Sequence, residues 1–255
     1  MRRAEELREL VEEHLSHVEL TPTLGDLREA LRYSLTGGKR IRAVLCLATC
    51  EAAGGEAEDA LTAAAALELV QAFALVHDDL PALDDDPERR GRPSAHIAFG
   101  EGVALLAGDA LLAEAFRLAL EYEGGAVARE LAGATLGMIG GQYRDITGDD
   151  ADLAELHRLK TGRLFAASVG CGLWAARVPE AQQGPWRAFG DELGLLFQVV
   201  DDVLDGDGYA ARLGVDDARE LAQAAAGRAR ERLEAVPADT SVLAEIVDGL
   251  AVRTA

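Results

Sequence analysis

The stretch FALVHDDLPALDDDPERRGRP, residues 73–93, carries an apolar run directly into a cluster of aspartates. A second stretch, FQVVDDVLD at residues 197–205, repeats this pattern about half a chain later. Apolar runs of this kind are buried, so each cluster places carboxylates at the inner end of a core helix. Buried carboxylates are costly unless they are paired or bound to a metal. The pattern therefore predicts a cation between the clusters, and Mg²⁺ is the hard ion that shares carboxylate oxygens with substrate phosphates.

Outside these stretches, apolar residues recur at helical spacing almost throughout the chain. The spacing predicts one helix through Leu7 and Leu15 and a second from Leu27 to Leu35. Later helices are predicted over residues 40–53, 57–80, 103–122, 126–146, 152–176, 185–206, 216–235 and 240–252. Because no linker or repeat divides the chain, we expect one domain over residues 1–255, an all-α fold forming a single large helical bundle around a central cavity.

The composition excludes several kinds of partner. A formal net charge of −20 argues against nucleic acid and anionic membrane surfaces. The three cysteines are too few for a disulfide framework in 255 residues, and we interpret them as buried thiols. The charged N-terminus lacks the apolar core of a signal peptide, and no uncharged apolar run reaches about 18 residues. We therefore expect no membrane span and a cytoplasmic protein.

The second cluster has the more regular geometry. On a helix, Asp201 and Asp205 are one turn apart and face the same way, and Gln198 lies one turn earlier on nearly the same stripe. Two carboxylates so placed can share a cation or hold cations against one diphosphate. The alternative interpretation is a solvated acidic turn at a helix end, which the preceding apolar run disfavours.

The first cluster is less regular, because Pro81 disturbs the helix that carries it. By ideal helical angles Asp85 shares a face with Asp78, whereas Asp84 does not. The proline makes those angles unreliable, so the choice between Asp84 and Asp85 stays open. His77 beside a hard-ion site is interpreted as a packing or supporting residue.

The basic residues form a third group. The chain has 25 lysines and arginines, and only Lys39 and Lys160 among them are lysines. Lys39 lies in GGKRIR at residues 37–42, where a helix begins and free backbone N–H groups favour anions. Lys160 lies in KTG at 160–162, and two arginines at 89–90 follow the first aspartate cluster. Each alone can be read as surface charge, but together they predict a cavity for two diphosphates, one held through Mg²⁺ and one through basic side chains.

These motifs resemble, in order, those of the trans-isoprenyl diphosphate synthase family. Residues 73–93 resemble its first aspartate-rich motif, and GGKRIR resembles its isopentenyl diphosphate site. Further matches are AGDAL at 107–111, GGQ at 140–142, KTG at 160–162 and FQVVDDVLD at 197–205. The resemblance covers residues from about 25 to 214, and the insertion Pro81-Ala82 is similar to that of bacterial farnesyl and geranylgeranyl diphosphate synthases. It implies an isoprenoid synthase-like bundle, usually a homodimer.

The resemblance also implies roles for individual residues. The diphosphate of isopentenyl diphosphate would be bound by Gly38, Lys39, Arg42, Gln71 and Arg90. The allylic substrate would be contacted by Arg89, Lys160, Thr161 and Gln198. Mg²⁺, about three ions with the allylic diphosphate bound, would be held by Asp78, Asp79, Asp84, Asp201, Asp202 and Asp205. Catalysis would depend on Asp78, Asp79, Asp84, Arg89, Lys160, Asp201 and Asp202.

The reaction that the resemblance implies is the Mg²⁺-dependent head-to-tail condensation of isopentenyl diphosphate with dimethylallyl or geranyl diphosphate. Product length depends on the floor of the pocket. In the bacterial relatives an aromatic residue at the position of Phe73, together with the Pro-Ala insertion, goes with a C15 product. Ala74 is small and leaves C20 possible. We expect farnesyl diphosphate, with geranylgeranyl diphosphate as the alternative.

The chain departs from the family pattern after Gly214. Relatives continue with a lysine and a Gly-Lys-Ser/Thr stretch that closes over the allylic diphosphate, whereas Val215-Asp216-Asp217 follows here. Arg212 is one candidate to substitute for that lysine. Because this stretch is missing, a non-catalytic or weakly active subunit of a heteromeric prenyl synthase is an alternative interpretation. A class I terpene cyclase is a further alternative, but it would not need the basic residues of an isopentenyl diphosphate site.

Overall fold

The computed structural model describes residues 1–148 and 152–254 and is built almost entirely of helices. The first half of the chain contains α1 Ala4–His17, α2 Leu27–Leu35, α3 Ile41–Ala52, α4 Ala57–Asp78, α5 Ala95–Phe99, α6 Glu101–Ala119 and α7 Ala126–Thr147. The second half contains α8 Leu153–His157, α9 Arg163–Ala175, α10 Gly184–Asp205, α11 Gly208–Leu213, α12 Val215–Glu234 and α13 Ser241–Ala251. The expectation of an all-α bundle is confirmed.

Helix α4 is the central element. It begins at a capping box in which Glu56 and Asp59 satisfy each other's backbone N–H groups. Its first half is rich in alanine and is buried on nearly all sides, so the helix packs closely against α3, α6 and α9. It ends at Asp78, which brings the first aspartate cluster to one end of the bundle.

Helix α10 is its counterpart in the second half of the chain. Pro185 lies in its first turn, where a missing N–H costs nothing, and Gly206 ends it in a left-handed conformation. The helix packs between α9 and α12 and terminates at Asp205. Both aspartate clusters therefore lie at the ends of core helices, as the apolar runs predict.

A single hydrophobic cluster connects the helices, from Leu7 of α1 to Leu250 of α13. Helix α4 is also the one helix in the described part of the chain that is long and apolar enough to cross a membrane, with a mean hydropathy of 1.6 over its most apolar window. Because 67% of that window is buried inside the protein, its apolar character is explained by its place in the core.

Several local features differ from the sequence expectations. A two-stranded antiparallel ribbon pairs β1 Glu88–Arg89 with β2 Arg92–Pro93, and the short helices α5 and α11 were not predicted. The helix expected over 152–176 is interrupted by a π-helical turn, Arg158–Gly162. These elements are too short to produce a periodic pattern. Residues 149–151 and 255 of the expected single domain lie outside the described residues.

Candidate active site

The chain turns back on itself directly after α4. The backbone N–H of Asp84 donates to the carbonyl oxygen of Asp78 at 2.9 Å, so Asp84 returns to the end of the helix. Burial raises the pKa of Asp78 to about 6, and the nearby carboxylates of Asp84 and Asp79 act in the same direction. Asp85 has a left-handed backbone with φ of 50° and is exposed. Since the helix has ended, helical angles do not apply, and Asp84 rather than Asp85 accompanies Asp78.

Asp79 has a different environment from Asp78. It is 2% exposed, and its Oδ1 accepts a hydrogen bond from Nε of Arg89 at 2.9 Å and a second from Nη2 of the same guanidinium. The partner Arg89 also lies 3.3 Å from Asp86. The ribbon of β1 and β2 positions this arginine, so the ion pair ties the ribbon to the end of α4.

In the second cluster, Asp201 is partly exposed and faces basic groups. Burial raises its pKa, and the carboxylate of Asp205 adds to that effect. Arg253, Arg42 and Lys39 act in the opposite direction, with a nitrogen of Arg253 3.9 Å from Asp201 Oδ1. Asp205 itself is exposed at the end of α10. The two carboxylates thus present negative charge toward a set of cations.

Asp202 is buried, with 2% exposure, and both of its oxygens are hydrogen-bonded. Oδ1 accepts from Nε2 of Gln198 at 2.6 Å, and Oδ2 accepts from the backbone N–H of Tyr209 at 2.8 Å. The imidazole of His157 lies 3.8 Å from the same carboxylate. Asp202 therefore connects α10 to the start of α11 and to α8.

Arg42 supplies a cation in an unusual setting. Its guanidinium lies 4.5 Å from the ring centroid of Phe165 and 5.5 Å from that of Phe197. Burial lowers its pKa to about 10, an effect that Glu68 and Asp201 partly oppose. Its Nε is buried and makes no hydrogen bond with any described residue. A guanidinium whose buried Nε has no partner is suited to an anionic ligand.

Arg90 lies against the loop that precedes α3. Its Nη1 donates to the carbonyl of Gly37 at 2.8 Å, and burial lowers its pKa. Gly38 has φ of 101°, and a Cβ there would lie 2.9 Å from the guanidinium carbon of Arg90. The backbone conformation therefore favours glycine at position 38, and a larger residue there would displace the guanidinium of Arg90. Lys39 follows it and is exposed.

Arg40 holds the same loop against α1 and α4. The sequence pattern does not indicate this role. Arg40 is 4% exposed with φ of 54°, and its guanidinium pairs with Glu12 at 2.9 Å and with Glu68 at 3.0 Å. It also donates to the carbonyl of Leu35 at 2.5 Å. No sequence signal identified these acidic partners, because Glu12 and Glu68 lie on other helices, each 28 residues from Arg40 in the chain.

Lys160 lies in the π-helical turn Arg158–Gly162, a type of irregularity that is frequent at functional sites. Its ammonium group pairs with Asp145 and lowers the pKa of Asp78, so it lies near both. Gly141 of α7 allows this approach, because a Cβ there would lie 2.6 Å from the backbone N of Lys160. Thr161 is partly buried in the same turn, and Gln71 is partly buried on α4, about two turns before Asp78.

Below Asp78 and Lys160 lies a cavity of about 270 Å³ with a mostly apolar lining. Phe73 is 8% exposed and meets the ring of His77 edge to face, with 5.0 Å between centroids. The imidazole of His77 is fixed by the carbonyl of Leu105, 3.0 Å away. The remaining lining residues are Ala74, Leu83, Met138, Ile139, Gln142, Tyr143 and Ile146. The shape and composition suit an apolar chain whose charged end lies at the aspartates.

The carboxylates of the two aspartate clusters suit a hard cation. The pKa of Asp78 and of Asp201 is raised mainly by burial and further by an acidic neighbour, so both positions carry negative charge that a cation would neutralise. Among residues 1–148 and 152–254, no group of three or more ligating side chains forms a ready cage. Mg²⁺ needs none, because it is usually held by one or two carboxylates with water and substrate phosphates. The residues present therefore fit ions whose coordination a diphosphate completes.

Comparisons with known proteins agree with this geometry. A sequence profile described as polyprenyl synthetase matches residues 25–224. The chain is 42% identical over 209 residues to a geranylgeranyl diphosphate synthase of Cyanophora paradoxa, covering 76% of this chain and 70% of that one. It is 36% identical over 204 residues to a farnesyl diphosphate synthase of Bacillus subtilis strain 168, covering 74% and 69%. Alignments with further plant synthases span between 55% and 58% of those proteins.

The fold has a close counterpart among solved structures. A geranyltransferase from Legionella pneumophila superposes with a TM-score of 0.88 at 31% identity, covering 98% of this chain and 96% of that one. The match extends beyond the shared motifs to the whole bundle. The chain therefore belongs to the polyprenyl synthetase family, which is generally Mg²⁺-dependent, and is a short-chain trans-prenyltransferase.

Proposed function

We propose that the protein joins isopentenyl diphosphate to dimethylallyl or geranyl diphosphate in a head-to-tail, 1'-4 condensation. The observation that carries this proposal is that basic groups lie beside both aspartate clusters. Lys160 lies near Asp78, and Arg42 and Lys39 lie near Asp201, where the Nε of Arg42 is buried and has no partner among the described residues. Two anionic substrates, one bound through metal and one through arginine, would satisfy both sets of groups.

Each diphosphate has its own set of residues in this proposal. The isopentenyl diphosphate is bound by Gly38, Lys39, Arg42, Gln71 and Arg90. The allylic diphosphate is contacted by Arg89, Lys160, Thr161 and Gln198. The six aspartates Asp78, Asp79, Asp84, Asp201, Asp202 and Asp205 form the site for about three Mg²⁺ ions. Since Asp79 and Asp202 already accept hydrogen bonds from protein donors, we assign them to holding the other four in place.

When bound, Mg²⁺ neutralises the charge that builds up on the leaving diphosphate. The C1–O bond of the allylic substrate breaks, and both electrons leave with the diphosphate. Lys160 lies near Asp78 and stabilises the leaving oxygens by its charge. The double bond of isopentenyl diphosphate supplies the electron pair for the new bond to C1 of the allylic unit. The isopentenyl unit then loses a proton from its C2, and this proton passes to the departing diphosphate. The apolar cavity keeps water from the cation.

We propose farnesyl diphosphate as the product. The nearly buried ring of Phe73, fixed against His77, narrows the cavity five residues before Asp78. Geranylgeranyl diphosphate is the second candidate, since Ala74 leaves space on the neighbouring face and several relatives bear that name. The test offers purified protein, Mg²⁺ and labelled isopentenyl diphosphate with dimethylallyl, geranyl or farnesyl diphosphate separately. We expect a C15 product that EDTA abolishes. A C20 product would reassign the chain length, and no product would contradict the synthase.

The second candidate function is a weakly active subunit of a heteromeric synthase. Helix α11 ends at Leu213 and α12 begins at Val215, so the expected Gly-Lys stretch has no counterpart between them. Elongation that appears only when a second synthase chain is added would favour this function. The intact charge arrangement around Asp78 and Asp201 favours activity of the chain alone.

We further propose that the protein is a cytoplasmic homodimer. Four side chains of α7 form one exposed apolar stripe at helical spacing: Leu136, Ile139, Tyr143 and Ile146, of which the last three also line the apolar cavity. Leu106 of the neighbouring α6 is also exposed. A second copy packed against this face would bury both patches. Light scattering is expected to give twice the chain mass, and Leu136→Glu to give the monomer; a monomeric wild type would exclude the dimer.

A further inference from the structure

One polar side chain in the apolar cavity has no part in the roles assigned so far. Gln142 lines the cavity together with Phe73, Ala74 and Met138. Both its amide oxygen and its amide nitrogen are buried, and neither has a hydrogen-bond partner among the residues that the structure describes. An amide withdrawn from water without a partner destabilises the folded chain. Such a group is unfavourable in the free protein and is suited to a ligand.

The position of Gln142 indicates which part of the ligand it would meet. It follows Gly141, the point at which α7 touches the turn carrying Lys160 and Thr161. The same cavity is lined by the charged side chains of Asp78 and Lys160 and otherwise mostly by apolar side chains. Gln142 therefore lies at the boundary between the diphosphate end and the prenyl end. The first carbons of the allylic substrate cross this boundary.

We propose that Gln142 is a further catalytic residue, whose amide oxygen stabilises the allylic cation. This inference rests on the proposed condensation. When the C1–O bond breaks and its electron pair leaves with the diphosphate, positive charge is shared between C1 and C3. The negative end of the amide dipole, withdrawn from water in the wall of the cavity, lowers the energy of that charge without forming a bond to carbon. Because the amide is already desolvated, it needs no reorganisation when the charge appears.

The first test replaces the amide by an apolar side chain of similar length. Q142M is expected to raise Tm, because a buried amide without a partner is removed, and to lower kcat by at least about tenfold. The KM for geranyl diphosphate should change by less than about twofold, since the uncharged ground state gains little from the dipole. A kcat within about twofold of the wild type would overturn the proposal.

A matched control lies on the same helix. The hydroxyl of Thr135 is also buried without a partner among the described residues, but it does not line the cavity. T135V is expected to raise Tm and leave kcat unchanged. If both variants lose activity equally, the loss in Q142M comes from packing of α7, and the role of the amide is refuted.

A second measurement separates charge stabilisation from substrate holding. Two inert probes differ in the charge of the prenyl chain: an ammonium analogue carrying nitrogen in place of C3, and a neutral thiolodiphosphate. Q142M should weaken binding of the ammonium analogue by at least about tenfold and binding of the thiolodiphosphate by less than about twofold. Equal weakening of both would mean that Gln142 holds the diphosphate, which would overturn the proposal. These affinities need no turnover, so failure of the wild type to elongate would contradict the proposed function and leave Gln142 to be judged by binding.

Discussion

Asp79 and Asp202 occupy equivalent positions in their two clusters: each is the second aspartate of an Asp-Asp pair, and each is 2% exposed. Asp79 accepts hydrogen bonds from Arg89, and Asp202 accepts them from Gln198 and from the backbone of Tyr209. The first aspartate of each pair instead has a pKa raised by burial. In each pair the second carboxylate is hydrogen-bonded to other groups of the protein, and the first is available to a ligand.

Substitution of the two aspartates of the second pair should separate these roles. D201N is expected to lower kcat by about 100-fold or more, since it removes charge that faces the ligand, while Tm changes little. D202N should lower Tm by about 2–4 °C, because one oxygen becomes a donor facing the N–H of Tyr209. Thermal unfolding and steady-state rates across a Mg²⁺ titration check both results. A greater loss of Mg²⁺ affinity in D202N than in D201N would contradict this division.

Asp78 makes the stability of the metal-free protein depend on pH. Its folded pKa of about 6 lies above its unfolded value of about 3.9. The folded state therefore holds the proton more tightly, and the stability this contributes is present below about pH 4 and lost as the pH rises to about 6. At pH 8 the neutral variant D78N should unfold about 6–11 °C above the wild type, whereas at pH 4 the two should coincide.

Differential scanning calorimetry in EDTA measures this gap. D216N is the matched control, because it alters a carboxylate that is 95% exposed at the start of α12. The difference in Tm between D216N and the wild type should be the same at both pH values. A gap of equal size at both pH values would assign the effect of D78N to packing rather than to charge.

The sequence predicts the fold better than it predicts the contacts at the site. Helical periodicity identifies the long helices that carry Asp78 and Asp201, because their apolar faces repeat over many turns. It cannot identify the ribbon that carries Arg89, since two-residue strands have no period. Nor can it show that Arg40 pairs with Glu68, because that contact depends on how α3 packs against α4. The aspartate pairs look alike as sequence, and their members are separated by the hydrogen bonds that the folded chain gives to Asp79 and Asp202.

The aromatic contacts of Arg42 should matter for isopentenyl diphosphate. R42M is expected to raise the KM for this substrate by about 30-fold or more, because a buried charged donor to the ligand is lost. F165L removes a ring 4.5 Å from the guanidinium and should raise the same KM by about threefold to tenfold. The KM for geranyl diphosphate should change less in both variants. R28M, at an exposed arginine, is the control, and an unchanged KM in R42M would exclude Arg42 from the site.

Shortening Phe73 should lengthen the product. F73A removes the ring that meets His77 and deepens the apolar cavity beside Asp78. The main product of geranyl diphosphate elongation is expected to shift from C15 to C20, because each added unit needs space beyond this ring. Chromatography of the dephosphorylated products measures the shift. F116A, a partly buried phenylalanine that does not line the cavity, should leave the product unchanged. A C15 product from F73A would place the floor of the pocket elsewhere.

Arg253 is better placed than Arg212 to supply the basic group that the missing Gly-Lys stretch would provide. It lies in the last turn, Val252–Thr254, 3.9 Å from Asp201, and it lines a cavity of about 500 Å³ together with Lys39. Arg212 is exposed on α11. R253A is therefore expected to raise the KM for the allylic substrate by about tenfold, whereas R212A should leave the KM of both substrates within about twofold.

Steady-state kinetics with each substrate varied separately decide between the two arginines. R253K, which keeps the charge but loses the planar fork, should recover part of the affinity if charge near Lys39 is what matters. A raised KM for the allylic substrate in R212A, with R253A unaffected, would reverse the assignment. It would mean that α11, held to the second cluster through Asp202, moves its arginine over the allylic diphosphate when substrate binds.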